Sequence, residues 1–161
     1  MEATLTESRQ QEPIVECLER WHRWLRGDLS EGLDAVLHEN CVFLSPIVFT
    51  PQEGREITSL YLNAAAGTLA GSGAGGEEAQ SSAAPSGTGA GAFRYVKEIV
   101  GGNQAALEFE TTVEGKYVNG VDIITCDDDS MITEFKVMIR PLQAVNLVHA
   151  QMRAMLESMQ G

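Results

Sequence analysis

From Leu107 to Glu114 the chain alternates core-facing and polar, mostly acidic, positions. Leu107, Phe109, Thr111 and Val113 are interleaved with Glu108, Glu110, Thr112 and Glu114. A period of two marks a strand with one face in the core and one in water. The neighbouring stretches read the same way. Phe93 to Val100 predicts a strand closed by Gly101-Gly102-Asn103. Val118 to Cys126 predicts another after a turn at Glu114-Gly115. Met131 to Arg140 predicts the last, after the acidic turn Asp127-Asp128-Asp129-Ser130. Together these segments predict a four-stranded antiparallel meander.

The first part of the chain changes period. After a polar stretch at 1–11 that predicts a disordered start, Pro13 suits a first helical position, and Ile14, Leu18, Trp21 and Leu25 recur at helical spacing. Gly27 ends that helix. Asp28 with Glu31 predicts a cap for a second, short helix carrying Leu29, Leu33, Val36 and Leu37. Cys41 to Ser45 predicts a short strand stopped by Pro46. Thr50-Pro51-Gln52-Glu53 is a further start signal, weakened by Gly54, for a third helix with Ile57, Leu60, Tyr61, Ala64, Ala65 and Leu69 on its apolar face. A final helix after Pro141 carries Val145, Val148, Met152, Met155 and Met159 as one stripe, which packs on the chain's own sheet or forms a dimer contact. Helices segregated from an antiparallel sheet give the α+β class. The chain predicts one domain over 12–160, interrupted by a Gly/Ala/Ser-rich flexible insertion at 70–92, which is read as a tolerated surface loop with a mobile lid as the alternative.

Composition narrows the partners. The 161 residues hold 11 Lys+Arg against 23 Asp+Glu, a net charge of -12. That argues against nucleic acid and anionic membrane surfaces, which call for basic patches. No apolar run is long enough to predict a membrane-crossing helix, and Met1 to Ser8 has no signal pattern, so a cytoplasmic protein is expected. Cys17, Cys41 and Cys126 are widely spaced among apolar residues and predict buried, reduced thiols. No His or acidic cluster sits at ligand spacing, so no metal or cofactor is expected.

One residue breaks the apolar logic of the sheet. Asp122 stands in Gly120-Val121-Asp122-Ile123-Ile124, where the rest of the pattern predicts burial. A carboxylate there is costly unless it is paired, hydrogen-bonded or protonated. Alternation puts Ile124 on its face and turns Val121 and Ile123 away. A binding pocket gives such a residue a purpose; a purely structural role satisfied by a tyrosine hydroxyl, an arginine or a backbone N–H is the alternative. Other candidates are weaker. His22, His38 and His149 fit structural or solvated roles, Arg140 suits a substrate carboxylate or an acid such as Glu134, and Asp127 to Asp129 reads as a solvated turn.

The ordered set of Gly27-Asp28, Val42-Phe43-Leu44-Ser45-Pro46, Gly54-Arg55-Glu56, Gly120-Val121-Asp122-Ile123-Ile124 and Ile132-Thr133-Glu134-Phe135 resembles the SnoaL-like branch of the nuclear transport factor 2-like superfamily, over roughly 12 to 141 without the insertion. The resemblance implies a cone-shaped domain in which a curved antiparallel sheet wraps on N-terminal helices around an apolar pocket, here with an extra C-terminal helix. It also implies a homodimer and a small apolar organic ligand. Several such proteins use a carboxylate at the position of Asp122; in the steroid isomerases that carboxyl is kept neutral so that it donates a hydrogen bond. Two departures disfavour steroid isomerase chemistry: Ser45 stands where the isomerase base is an aspartate, and Arg20 where its helix carries a tyrosine.

The expected site is therefore an internal pocket holding Asp122 as acid, base or hydrogen-bond donor, with Ser45 as a polar orienter and Tyr61 as a second donor. Trp21, Trp24, Phe43, Phe109 and Phe135 are its expected aromatic walls. Leu107, Ile124, Val137 and Ile139 complete the lining. The expected role is small-molecule binding. Cofactor-free isomerisation, cyclisation or dehydration is the enzymatic alternative, and a non-catalytic dimeric interaction domain is the other.

Overall fold

The computed structural model describes residues 12–69 and 92–160; the expected disordered start and nearly all of the 70–92 insertion lie outside the described residues. Helix α1 runs Pro13–Leu25 with its proline at the first turn and buries Ile14, Cys17, Leu18 and Trp21. Gly27, at φ 77°, turns the chain out of it. The expected second helix is only a 3-10 turn, Gly32–Ala35, without a side-chain cap. Gly32 breaks the run at φ 69°, and Leu37, expected in the helix, already belongs to strand β1, Leu37–Leu44. Gln52–Glu53, expected in the first turn of the next helix, pair with β1 instead as the short strand β2. Gly54, at φ 106°, separates that strand from helix α2, Arg55–Leu69.

The meander forms as predicted. Strands β3 (Arg94–Gly101), β4 (Gln104–Val113), β5 (Lys116–Cys126) and β6 (Ile132–Arg140) pair antiparallel in sequence. Glu114 and Gly115 join β4 to β5 with φ of 49° and 75°, the left-handed pair that matches hairpin twist. The sheet has six strands in the order β2-β1-β6-β5-β4-β3. It is mixed rather than wholly antiparallel, because β1 lies parallel to β6. Register shifts in β1, β3 and the β5–β6 pair mark irregularities of the kind that bend a sheet. Helix α3, Leu142–Gln160, closes the chain.

Two apolar clusters fill the concave side. One joins α1, the 3-10 turn and β1 to the sheet through Trp21, Leu37, Phe43, Leu107, Ile124 and Phe135. The other joins α2 and α3 to the far end of the sheet through Ala64, Phe109, Val118, Val148 and Met152. Val148, Met152 and Met155 of the α3 stripe pack on their own chain, with Val148 and Met152 buried.

Candidate functional site

Strand alternation turns Asp122 inward. Its register partners are Leu107 on β4 and Val137 on β6, and it is 6% exposed. Tyr95, on β3, lies one strand beyond Leu107 and reaches back to it. The Tyr95 hydroxyl donates to Asp122 Oδ2 at 2.6 Å, and the Trp21 indole N–H donates to the Tyr95 hydroxyl oxygen at 3.0 Å. Helix α1, β3 and β5 therefore meet in one hydrogen-bonded chain. Burial pushes the Asp122 carboxyl up to about 7, against the opposing effect of the Tyr95 hydrogen bond. Burial and the neighbouring Asp122 push Tyr95 well above the ordinary phenol range. Asp122 thus titrates near neutrality, where an acid can both give and take a proton.

The first apolar cluster surrounds this chain. Trp21 stacks on Trp24 with centroids 5.1 Å apart and tilts against Phe135 at 4.9 Å. Phe43 stacks on Tyr61 at 5.3 Å. Leu107 and Ile124 are buried beside Asp122, while Trp24, Tyr61 and Val137 are half-buried. Phe109 and Ile139 sit elsewhere: both pack in the second cluster, with Phe93 stacked on Phe109 at 5.0 Å. Ser45 lies at the end of β1, where its Oγ accepts from the Ile47 and Val48 N–H groups at 3.0 and 3.3 Å.

The secondary candidates are engaged away from Asp122. His22 Nε2 lies 3.0 Å from Glu98 on β3, and its ring meets Tyr95 edge-on at 5.7 Å. His38 is in β1 and accepts from the Asn40 N–H at 3.0 Å. His149 is exposed. Arg20 is held by Glu16 and turns to the Asp129 carbonyl. Arg140 donates to Asn119 Oδ1 at 2.6 Å rather than to Glu134. Asp127 Oδ1 accepts from the Asp129 and Met131 N–H groups and closes the acidic turn. The three cysteines are free and buried, and burial pushes their thiols up, away from the nucleophilic thiolate. Among the described residues, no three His, Cys, Asp or Glu side chains form a metal-holding group. No described helix is long and apolar enough to cross a membrane.

The surface carries a groove of about 410 Å³ on the outer side of the sheet, lined in part by Lys97, Ile99, Val121, Met138 and Arg140. A wider one of about 780 Å³ lies beside Glu39, Glu53, Arg55 and Glu56. Asp122 lines neither groove. Tyr95, the direct partner of Asp122, is not among the residues that the sequence singles out for the site. Its signal was an inward tyrosine on a predicted strand, but linking it to Asp122 needed the register of three strands.

No protein-family model matches the sequence, and no curated protein matches it. Solved structures do. A steroid delta-isomerase from Pseudomonas aeruginosa superposes with a TM-score of 0.74 at 27% identity, covering 92% of this chain and 94% of that one. A nuclear transport factor 2-like protein from Mesorhizobium loti gives 0.55 at 17% identity, over 80% and 92%. The epoxide hydrolase/cyclase-like enzyme SalBIII, of pyran ring formation in the polyether salinomycin, gives 0.52 at 17%, over 83% and 92%. With its helices on the concave side of a curved, unclosed six-stranded sheet, this chain has the cone-shaped α+β fold of the nuclear transport factor 2-like proteins.

Proposed function

We propose that this domain binds a small, largely apolar organic molecule against Asp122, between α1 and the concave face of the sheet. The observation that carries the reading is a buried carboxyl in an apolar wall whose described side-chain partner is a single tyrosine hydroxyl. A protonated carboxyl in such surroundings suits a ligand with a neutral acceptor oxygen, such as a ketone, ether or epoxide. If chemistry follows, it is cofactor-free proton transfer, as in an isomerisation, cyclisation or dehydration, with Asp122 as acid and base. The likeness to the Pseudomonas steroid delta-isomerase supports a reaction of this kind. Ser45 and Arg20 argue against the same reaction, since one is a turn acceptor and the other faces the acidic turn.

The test is a thermal-shift screen of apolar ketones, ethers and epoxides against their amine counterparts, on wild type and Asp122→Asn. The expected outcome is an oxygen-bearing compound that raises the wild-type melting temperature and leaves the variant unmoved. A ligand at a hundredfold excess over its Kd stabilises by about 2.7 kcal/mol, which such a screen detects. Equal shifts in both proteins would move the site away from Asp122.

A second reading, a dimeric interaction domain, is favoured by the outer sheet face, where Ile99 is 64% and Met138 51% exposed. The two readings use opposite faces of one sheet and are compatible.

A further inference from the structure

We propose that Trp21 and Tyr95 are positioning residues that fix the direction of the hydrogen bonds at Asp122, so that its acid proton sits on Oδ1, the oxygen Tyr95 does not occupy. The proposal deepens the reading of Asp122 as the ligand contact, and rests on it for its use.

An indole N–H only donates. Trp21 Nε1 lies 3.0 Å from the Tyr95 hydroxyl oxygen, so that oxygen must accept there. The hydroxyl has one proton, and the acceptor within reach is Asp122 Oδ2 at 2.6 Å. If Oδ2 carried the acid proton, the Tyr95 proton would face a donor on each side in an apolar interior. An unmade hydrogen bond of that kind costs about 1–3 kcal/mol. The arrangement therefore reads in one direction, Trp21 to Tyr95 to Asp122. A neutral carboxyl with Oδ2 accepting has its proton on Oδ1.

The surroundings keep that proton available. Across the sheet from Asp122 stand Leu107 on β4 and Val137 on β6, neither with a polar side-chain atom. On Tyr95's side of the site stand Glu98 on β3 and His22 on α1, whose side chains lie 3.0 Å apart and face each other. Arg20, next to Trp21 in sequence, points to the Asp129 carbonyl. Trp21 itself is held by Trp24 and Phe135, so the first donor in the chain has little freedom to turn. In this arrangement the protein uses an otherwise inert core tryptophan to aim a proton at the place a ligand oxygen would occupy.

The experiment is NMR on the full chain, following the Asp122 carboxyl carbon and the Trp21 indole N–H through a pH titration. In wild type the indole resonance should move with the Asp122 midpoint, because the two are linked through one hydroxyl. In Tyr95→Phe the indole should stop responding, and the Asp122 midpoint should rise by about one pH unit, since a hydrogen bond that favours the ionised form is gone. In Trp21→Phe the Tyr95 hydroxyl is free to reverse and accept from Asp122, so the midpoint should rise there too. A wild-type indole resonance that ignores the Asp122 titration overturns the proposal, and so does a Tyr95→Phe midpoint that stays or falls. The wild-type measurement decides the matter even if Trp21→Phe does not fold. The Asp122→Asn ligand screen reads out separately, so the hydrogen-bond chain can fail while the binding site stands, and the reverse.

Discussion

A carboxyl moved from water to the space between α1 and the sheet keeps its proton because ionisation there loses hydration that a single phenol cannot replace. That has a consequence for stability. Unfolded, Asp122 titrates at roughly 3.9; folded, it titrates at about 7. Between those values the folded chain holds a proton that the unfolded chain has lost. The contribution of Asp122 is therefore full below about pH 4, declines as pH rises, and is gone above about 7. The loss is about 4 kcal/mol. His22, Glu98 and Tyr95 lie on the same side of the site, so the comparison must hold them constant. Urea unfolding of wild type and Asp122→Asn across this range is expected to show the wild type losing ground to the variant as pH rises. A constant difference would place the Asp122 midpoint near its unfolded value. At this scale the sequence exposed the unusual residue, since a carboxylate in an apolar strand is visible in one dimension. It did not expose Tyr95, because a hydrogen bond between residues on different strands depends on register and reach.

At the scale of elements, local pattern was strong where water faces one side of the strand and weak where glycines intervene. The alternation of β4, the turn at Glu114-Gly115 and the stripe of α1 were all legible. Gly32 and Gly54 were harder to read: one opens the 3-10 turn and the other parts β2 from the next helix, where the cap signals alone predict a longer helix. In β5 one glycine has a definite packing role. A Cβ on Gly120 would stand 2.4 Å from Phe109 Cζ and 2.6 Å from the Met138 carbonyl oxygen. One obstacle is a buried ring and the other is backbone, so neither gives easily. Gly120→Ala is expected to destabilise by about 1–3 kcal/mol through overpacking, read as a lower urea midpoint with an unchanged slope. An unaffected midpoint would mean that Phe109 repacks freely. The pairing of β1 with β6 was not legible at all. Parallel neighbours this far apart in sequence carry no local signal, and β1 came as a short strand whose partner the chain does not announce.

The whole molecule carries a net charge of -12, yet all three of its lysines, Lys97, Lys116 and Lys136, lie on the strands of the sheet. On the outer face Arg94 meets Glu110 at 3.0 Å and Lys97 meets Glu108 at 4.0 Å, around exposed Ile99 and Met138. If two copies associate through this face, the net negative charge of both chains opposes them. Association is then expected to strengthen with salt, which screens the repulsion between acidic chains. Sedimentation velocity at low and high salt measures this, with Met138→Glu as the disrupting variant. A Met152 substitution would be uninformative, because that side chain is core. A monomer at every salt concentration would remove the dimer reading. The sequence by itself determined the α+β class, the meander and the oddity of Asp122, because periodicity and the cost of a buried charge are local facts. Only the tertiary structure decided that β1 runs parallel to β6, that Met152 and Met155 are spent on the chain's own core, and that Asp122 is met by Tyr95, itself held by Trp21. Each of those depends on which distant segments touch, and contact across the chain is set by packing and register rather than by any stretch of residues alone.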